Sequence, residues 1–104
     1  MSVPTYPEQV ETLRLLAVYL PDDMRDMILA RDAMGRDQYG DAWFTRDNIA
    51  EAFPEIADAW VYVARAVLAG QVTAKDARRI QDALAVAWLF LESLREKAGV
   101  PNGD

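Results

Sequence analysis

The chain contains neither cysteine nor histidine. That pair of absences excludes disulfides, thiolate or imidazole zinc sites, iron–sulfur clusters, Ser-His-Asp and Cys-His catalysis, and any imidazole general base. Basic residues are also few: 11 Lys and Arg stand against 17 Asp and Glu, for a net charge of −6. Phosphate-backbone contacts need clustered positive charge, and the only adjacent basic pair is Arg78-Arg79, so no direct nucleic-acid partner is expected. The N-terminal MSVPTYPEQVE has no basic n-region and no apolar h-region. The longest uninterrupted apolar run, Ala83 to Leu91, is too short to span a bilayer. A cytoplasmic protein without a membrane partner is the expectation.

What remains is helical patterning. A chain of 104 residues fits one domain, 1–104, and can bury about 65% of the surface its unfolded form exposes. Apolar residues recur at helical spacing in four segments, with no convincing strand, which predicts an all-α, compact four-helix bundle. The first helix is expected over 7–20, opened by Pro7 and stopped by Pro21. The second, over 22–34, begins with Asp22 and Asp23, carries Met24, Met27 and Ile28 on its apolar face, and ends before Gly35. Arg36 to Phe44 has no periodicity and contains Tyr39-Gly40-Asp41, a turn signal, so a loop is expected there.

The third helix, over 46–69, has the most regular pattern in the chain. Phe53, Ile56, Trp60, Val63 and Val67 fall on one stripe, as in a helix buried against others. Glu51, Glu55, Asp58, Tyr62 and Arg65 fall along a narrow line on the opposite side. Pro54 lies inside the segment, so a break is expected near 53–54. Gly70 closes this helix, and Thr73 with Asp76 resembles a capping box for a long last helix over 74–98. Ile80, Leu84, Ala87, Trp88 and Leu91 form its expected inward stripe. The run ALAVAWLFL also places Val86, Leu89 and Phe90 on the other faces, and an apolar girdle of this kind predicts a homo-oligomer formed through 83–91, the alternative being a central helix covered by its own chain.

Three features bear on chemistry. Glu55 and Asp58 stand at i and i+3, one turn after Glu51, a spacing at which two carboxylates can share one hard cation such as Mg²⁺. The alternative for this pair is a solvated helix face. Asp23 and Asp26 repeat the spacing in the second helix, where acids also favour the helix dipole. If the second and third helices pack antiparallel, four carboxylates can meet at one site. Arg31, Arg36, Tyr39 and Trp43 supply two guanidinium groups for phosphates and two rings for stacking on a base, or else the rings cap the core.

The segment Arg31-Asp-Ala-Met-Gly-Arg-Asp-Gln-Tyr-Gly-Asp41, followed by Glu55-Ile-Ala-Asp-Ala-Trp-Val-Tyr62, resembles short phage and actinobacterial members of the MazG-like, all-α nucleoside triphosphate pyrophosphohydrolases. The resemblance spans roughly residues 23–67. It implies a Mg²⁺-dependent pyrophosphohydrolase of phage type within an oligomeric helical bundle. Asp23, Asp26, Glu55 and Asp58 would hold the metal, with the two aspartates standing where the family has Glu-x-x-Glu. Glu51 would accept a proton from the attacking water, and Arg31 or Arg36 would steady the nucleotide's phosphates. The competing expectation is a non-catalytic, acidic helical interaction protein, either a phage-encoded binder of a host protein or a nucleotide sponge.

Overall fold

The computed structural model describes residues 2–99. Among them are four α-helices and one 3₁₀ turn, with no strand, so the protein is all-α. The helices are α1 (Tyr6–Leu16), α2 (Asp22–Tyr39), α3 (Asn48–Leu68) and α4 (Ala74–Gly99); the 3₁₀ turn is Ala42–Thr45. Two compact units divide the chain, one ending at Arg46 and the other beginning at Asp47. No helix among the described residues is long and apolar enough to cross a membrane.

In the first unit, α1 starts one residue before Pro7 because Thr5 caps it. The Thr5 hydroxyl accepts the Glu8 backbone N–H at 3.3 Å, and the Glu8 carboxylate accepts the Thr5 N–H at 2.7 Å, a complete capping box. The helix ends at Leu16, short of the expected Leu20. The Ala17 N–H still reaches the Leu13 carbonyl, and the chain then tightens into a turn before Pro21. Arg25 holds that turn: one guanidinium nitrogen donates to the Val18 and Leu20 carbonyls, at 3.0 and 3.2 Å, and the other pairs with Asp22.

The end of α2 corrects the sequence expectation. The helix runs through Gly35 and continues to Tyr39, so the first residues of the expected loop are helical. Gly35 lacks the left-handed conformation a helix-ending glycine adopts, whereas Gly40 has φ 62° and its N–H bonds the Arg36 carbonyl at 2.8 Å. Either glycine can close a helix; Gly40 does so here, five residues later. Beyond it, Trp43 and Phe44 are half-buried and meet edge to face, 5.5 Å between centroids.

The second unit is an α3–α4 hairpin. Asp47 caps α3 by accepting the Ala50 N–H at 3.0 Å. The expected break at 53–54 does not occur: α3 runs unbroken through Pro54. Proline there gives up its own N–H bond and crowds the Ala50 carbonyl, a cost the helix absorbs within its first two turns, and Pro54 itself is exposed. At the other end the Gly70 N–H reaches the Val67 carbonyl at 3.0 Å and the Gln71 N–H the Ala66 carbonyl at 2.8 Å, a Schellman closure with Gly70 at φ 76°. The Thr73 hydroxyl then accepts the Asp76 N–H at 3.1 Å and starts α4.

Two contacts fix the antiparallel register of the hairpin. The Phe53 and Trp88 rings pack edge to face at 4.5 Å, and the Gln81 side-chain amide donates to the Trp60 carbonyl at 3.3 Å. Seven residues forward in α3 thus match seven residues back in α4, two turns of each helix. Phe53 is the best-buried large side chain here, 6% exposed, with the Arg95 guanidinium 4.9 Å from its centroid. The inward face of α4 runs through Ala77, Gln81, Leu84, Trp88 and Leu91. Ile80 and Ala87, expected on this face, are exposed, because a stripe at alternating spacings of four and three residues from Ala77 passes through Gln81 instead. Trp60, expected in the core, is 46% exposed.

Candidate functional site

Two regions hold the residues to which the sequence assigns chemistry. The first is the polar line of α3. Because α3 turns its apolar stripe toward α4, Glu51, Glu55, Asp58, Tyr62 and Arg65 all lie exposed on its far side. Glu55 and Asp58 share a face at i, i+3 as expected, and Glu51 stands one turn earlier. Asp23 and Asp26 lie exposed in the first two turns of α2, in the other unit. The Asp23 carboxylate accepts the Met24 N–H at 2.9 Å, a role that stabilises the start of the helix. Asp26 shares a shallow surface groove with Arg14 and Arg25. Within neither unit do three carboxylates among the described residues gather around a point where a metal ion could sit.

The second region is a cleft in the first unit, lined by Gln9, Asp32, Arg36, Tyr39, Trp43 and Arg46. Its volume is about 150 Å³, and an adjoining apolar groove of about 280 Å³ shares Gln9, Asp32 and Trp43 with it. Arg36, Tyr39 and Trp43, grouped from sequence, therefore do come together. Extension of α2 past Gly35 makes this happen, since Asp32, Arg36 and Tyr39 then follow one another at i, i+4 and i+7 on one helical face. Arg31 does not join them: it is exposed on α2, about 140° around the helix from Arg36.

The electrostatics of this cleft are mixed. The Arg36 guanidinium lies over the Tyr6 ring, 3.3 Å from its centroid, and the Arg46 guanidinium lies 5.5 Å from that of Tyr39. The Arg36 Nε is buried and finds no hydrogen-bond partner among the described residues. Such a donor would favour an anionic or carbonyl acceptor, while Asp32 puts a carboxylate on the same wall and opposes an anion. Gln9, whose side chain donates to the Pro4 carbonyl at 2.9 Å, and Arg46 are members that sequence reasoning missed. The Thr5-x-x-Glu8 capping signature that sets α1, and with it Tyr6 and Gln9, was readable in the sequence.

A third feature is apolar. Val86, Leu89 and Phe90 are exposed on α4, and Phe90 keeps 69% of its surface in water. The expected girdle of 83–91 therefore has one face against α3 and the rest uncovered. No family model matches the chain, and neither curated proteins nor solved structures match it.

Proposed function

We propose that this chain acts as a helical interaction protein that self-associates through the girdle 83–91 of α4. The observation that carries the proposal is Phe90, 69% exposed on a capped, regular helix, with Ile80 and Leu94, each about half exposed, on the same face. Single exposed apolar residues are ordinary on a protein surface. Here Ile80, Val86, Leu89, Phe90 and Leu94 lie along one helix, and no charged residue interrupts 83–91. A net charge of −6 is compatible with association, because all of the acids lie outside this run. Association coupled to folding makes the melting temperature depend on concentration. The expected outcome is a Tm that rises over a hundredfold concentration series; a constant Tm argues against the proposal.

A second reading, Mg²⁺-dependent nucleotide pyrophosphohydrolase chemistry of phage type, draws support from the cleft of Arg36, Tyr39 and Trp43 and from the exposed Glu51, Glu55 and Asp58 line. In that reading Asp23, Asp26, Glu55 and Asp58 hold Mg²⁺, Glu51 takes a proton from water, and Arg31 or Arg36 steadies phosphates. It requires the carboxylates of α2 and α3 to converge on one ion. The test is a panel of nucleoside triphosphates with Mg²⁺, followed by Glu55→Gln and Asp58→Asn. Pyrophosphate release lost in both variants supports this reading. Absence of both release and Mg²⁺-dependent stabilisation removes it and leaves the interaction protein, with or without nucleotide binding.

A further inference from the structure

The uncovered side of α4 has a symmetry that specifies its partner. Rotated about 110° from the face that packs on α3, a second stripe follows spacings of four and three residues along the helix. Its midpoint is Ala87, small and exposed. Seven residues to either side stand Ile80 and Leu94, 48% and 51% exposed. Nearer the midpoint, Ala83 on one side corresponds to Phe90 on the other. At the two ends, Asp76 corresponds to Lys97, both exposed. We infer that α4 pairs with α4 of a second copy of this chain in an antiparallel arrangement about a two-fold axis at Ala87. This rests on the self-association proposed above and adds its register.

A two-fold interface requires that residue i meet j and that j meet i, so a surface must be complementary to its own reverse. This stripe meets that condition at every level. Aliphatic Ile80 meets aliphatic Leu94, bulky Phe90 covers the space above Ala83, Asp76 faces Lys97 with opposite charge, and each of these contacts occurs twice. The Ala83–Phe90 and Asp76–Lys97 pairs are centred half a residue from Ala87, a displacement of about 0.75 Å along the axis that ordinary helix packing absorbs. Alanines at the crossing allow the two helices to approach closely. A parallel arrangement would instead set Phe90 against Phe90, Asp76 against Asp76 and Lys97 against Lys97. The opposite face of α4 remains engaged with α3 through Trp88 and Gln81, so both interfaces coexist on one helix.

Because the chain has no cysteine, a single introduced thiol reports on the crossing directly. Under mild oxidation the full-length Ala87→Cys protein should form a disulfide-linked dimer, while Ala85→Cys, about 160° around the helix, should not. Asp76→Lys and Lys97→Asp should each weaken dimerisation roughly 5- to 20-fold, by removing two rim attractions and adding two repulsions, and the double variant should restore it. Circular dichroism establishes that each variant keeps its helices. A wild-type dimer in which Ala87→Cys does not crosslink, or in which the double charge reversal fails to restore affinity, overturns the register while leaving self-association standing. A wild-type monomer at high micromolar concentration overturns both.

Discussion

Phe53 of α3 and Trp88 of α4 pack edge to face, with ring centroids 4.5 Å apart and planes at 82°, and this contact sets the register of the hairpin. Phe53 is almost fully buried, so Phe53→Ala should cost about 3–5 kcal/mol, the range for emptying a large aromatic site. The pair itself should be worth about 0.5–1.5 kcal/mol beyond its buried area. A double-mutant cycle of Phe53→Ala and Trp88→Ala by chemical denaturation measures that coupling, and a coupling near zero would contradict the packing described.

Trp60 lies on the same sequence stripe as Phe53 but is nearly half exposed. Trp60→Ala should therefore destabilise the protein less than Phe53→Ala does, by under about 2 kcal/mol, as its burial is incomplete. Equal losses for the two variants would mean that Trp60 is covered in solution.

Gly35 within α2 and Gly40 just past its end should respond in opposite directions. Gly35 is interior to the helix, and a Cβ there would meet nothing within 4 Å, so Gly35→Ala should stabilise by roughly 0.5–1 kcal/mol. Gly40 sits at φ 62°, ψ −132°, which strains any residue with a Cβ, and Gly40→Ala should cost roughly 1–3 kcal/mol. Thermal melts of both variants check the pair of signs.

These glycines also show what was legible in the sequence. Helical class and the positions of α3 and α4 follow from apolar spacing and from caps at Asp47, Gly70 and Thr73, all local signals. Which of Gly35 and Gly40 closes α2 depends on what lies beyond it: the turn through Trp43 and Phe44 that the longer helix reaches. Apolar spacing could place Phe53 correctly and Trp60 wrongly, because a stripe names a direction and not the extent of the surface that covers it. In the candidate cleft, Arg36, Tyr39 and Trp43 were readable as a group. Arg31 was not separable from them until the helix was known to run through Gly35 to Tyr39, fixing its angle from Arg36.

The cap of α1 carries a pH dependence. Two hydrogen bonds from Thr5, from its backbone first and its side chain second, hold the Glu8 carboxyl below its ordinary value of 4.5. A carboxyl lowered in the folded state contributes stability that is fully present above 4.5 and is lost as pH falls through the folded value. NMR titration should show the Thr5 amide moving with Glu8 at a midpoint below 4.5, and Thr5→Ala should raise that midpoint toward the ordinary one. A wild-type midpoint at or above 4.5 would contradict the capping box.

Light scattering of the wild-type chain and of Phe90→Asp, at matched high micromolar concentration, tests the central claim of self-association through α4 most directly. Phe90 is exposed within one chain, so the substitution should leave the helices intact. The account predicts at least about twice the 11.7 kDa chain mass for the wild type, as dimers begin at two copies, and the chain mass alone for Phe90→Asp, with helical circular dichroism retained. A wild-type monomer, or an assembly that Phe90→Asp leaves intact, would contradict it.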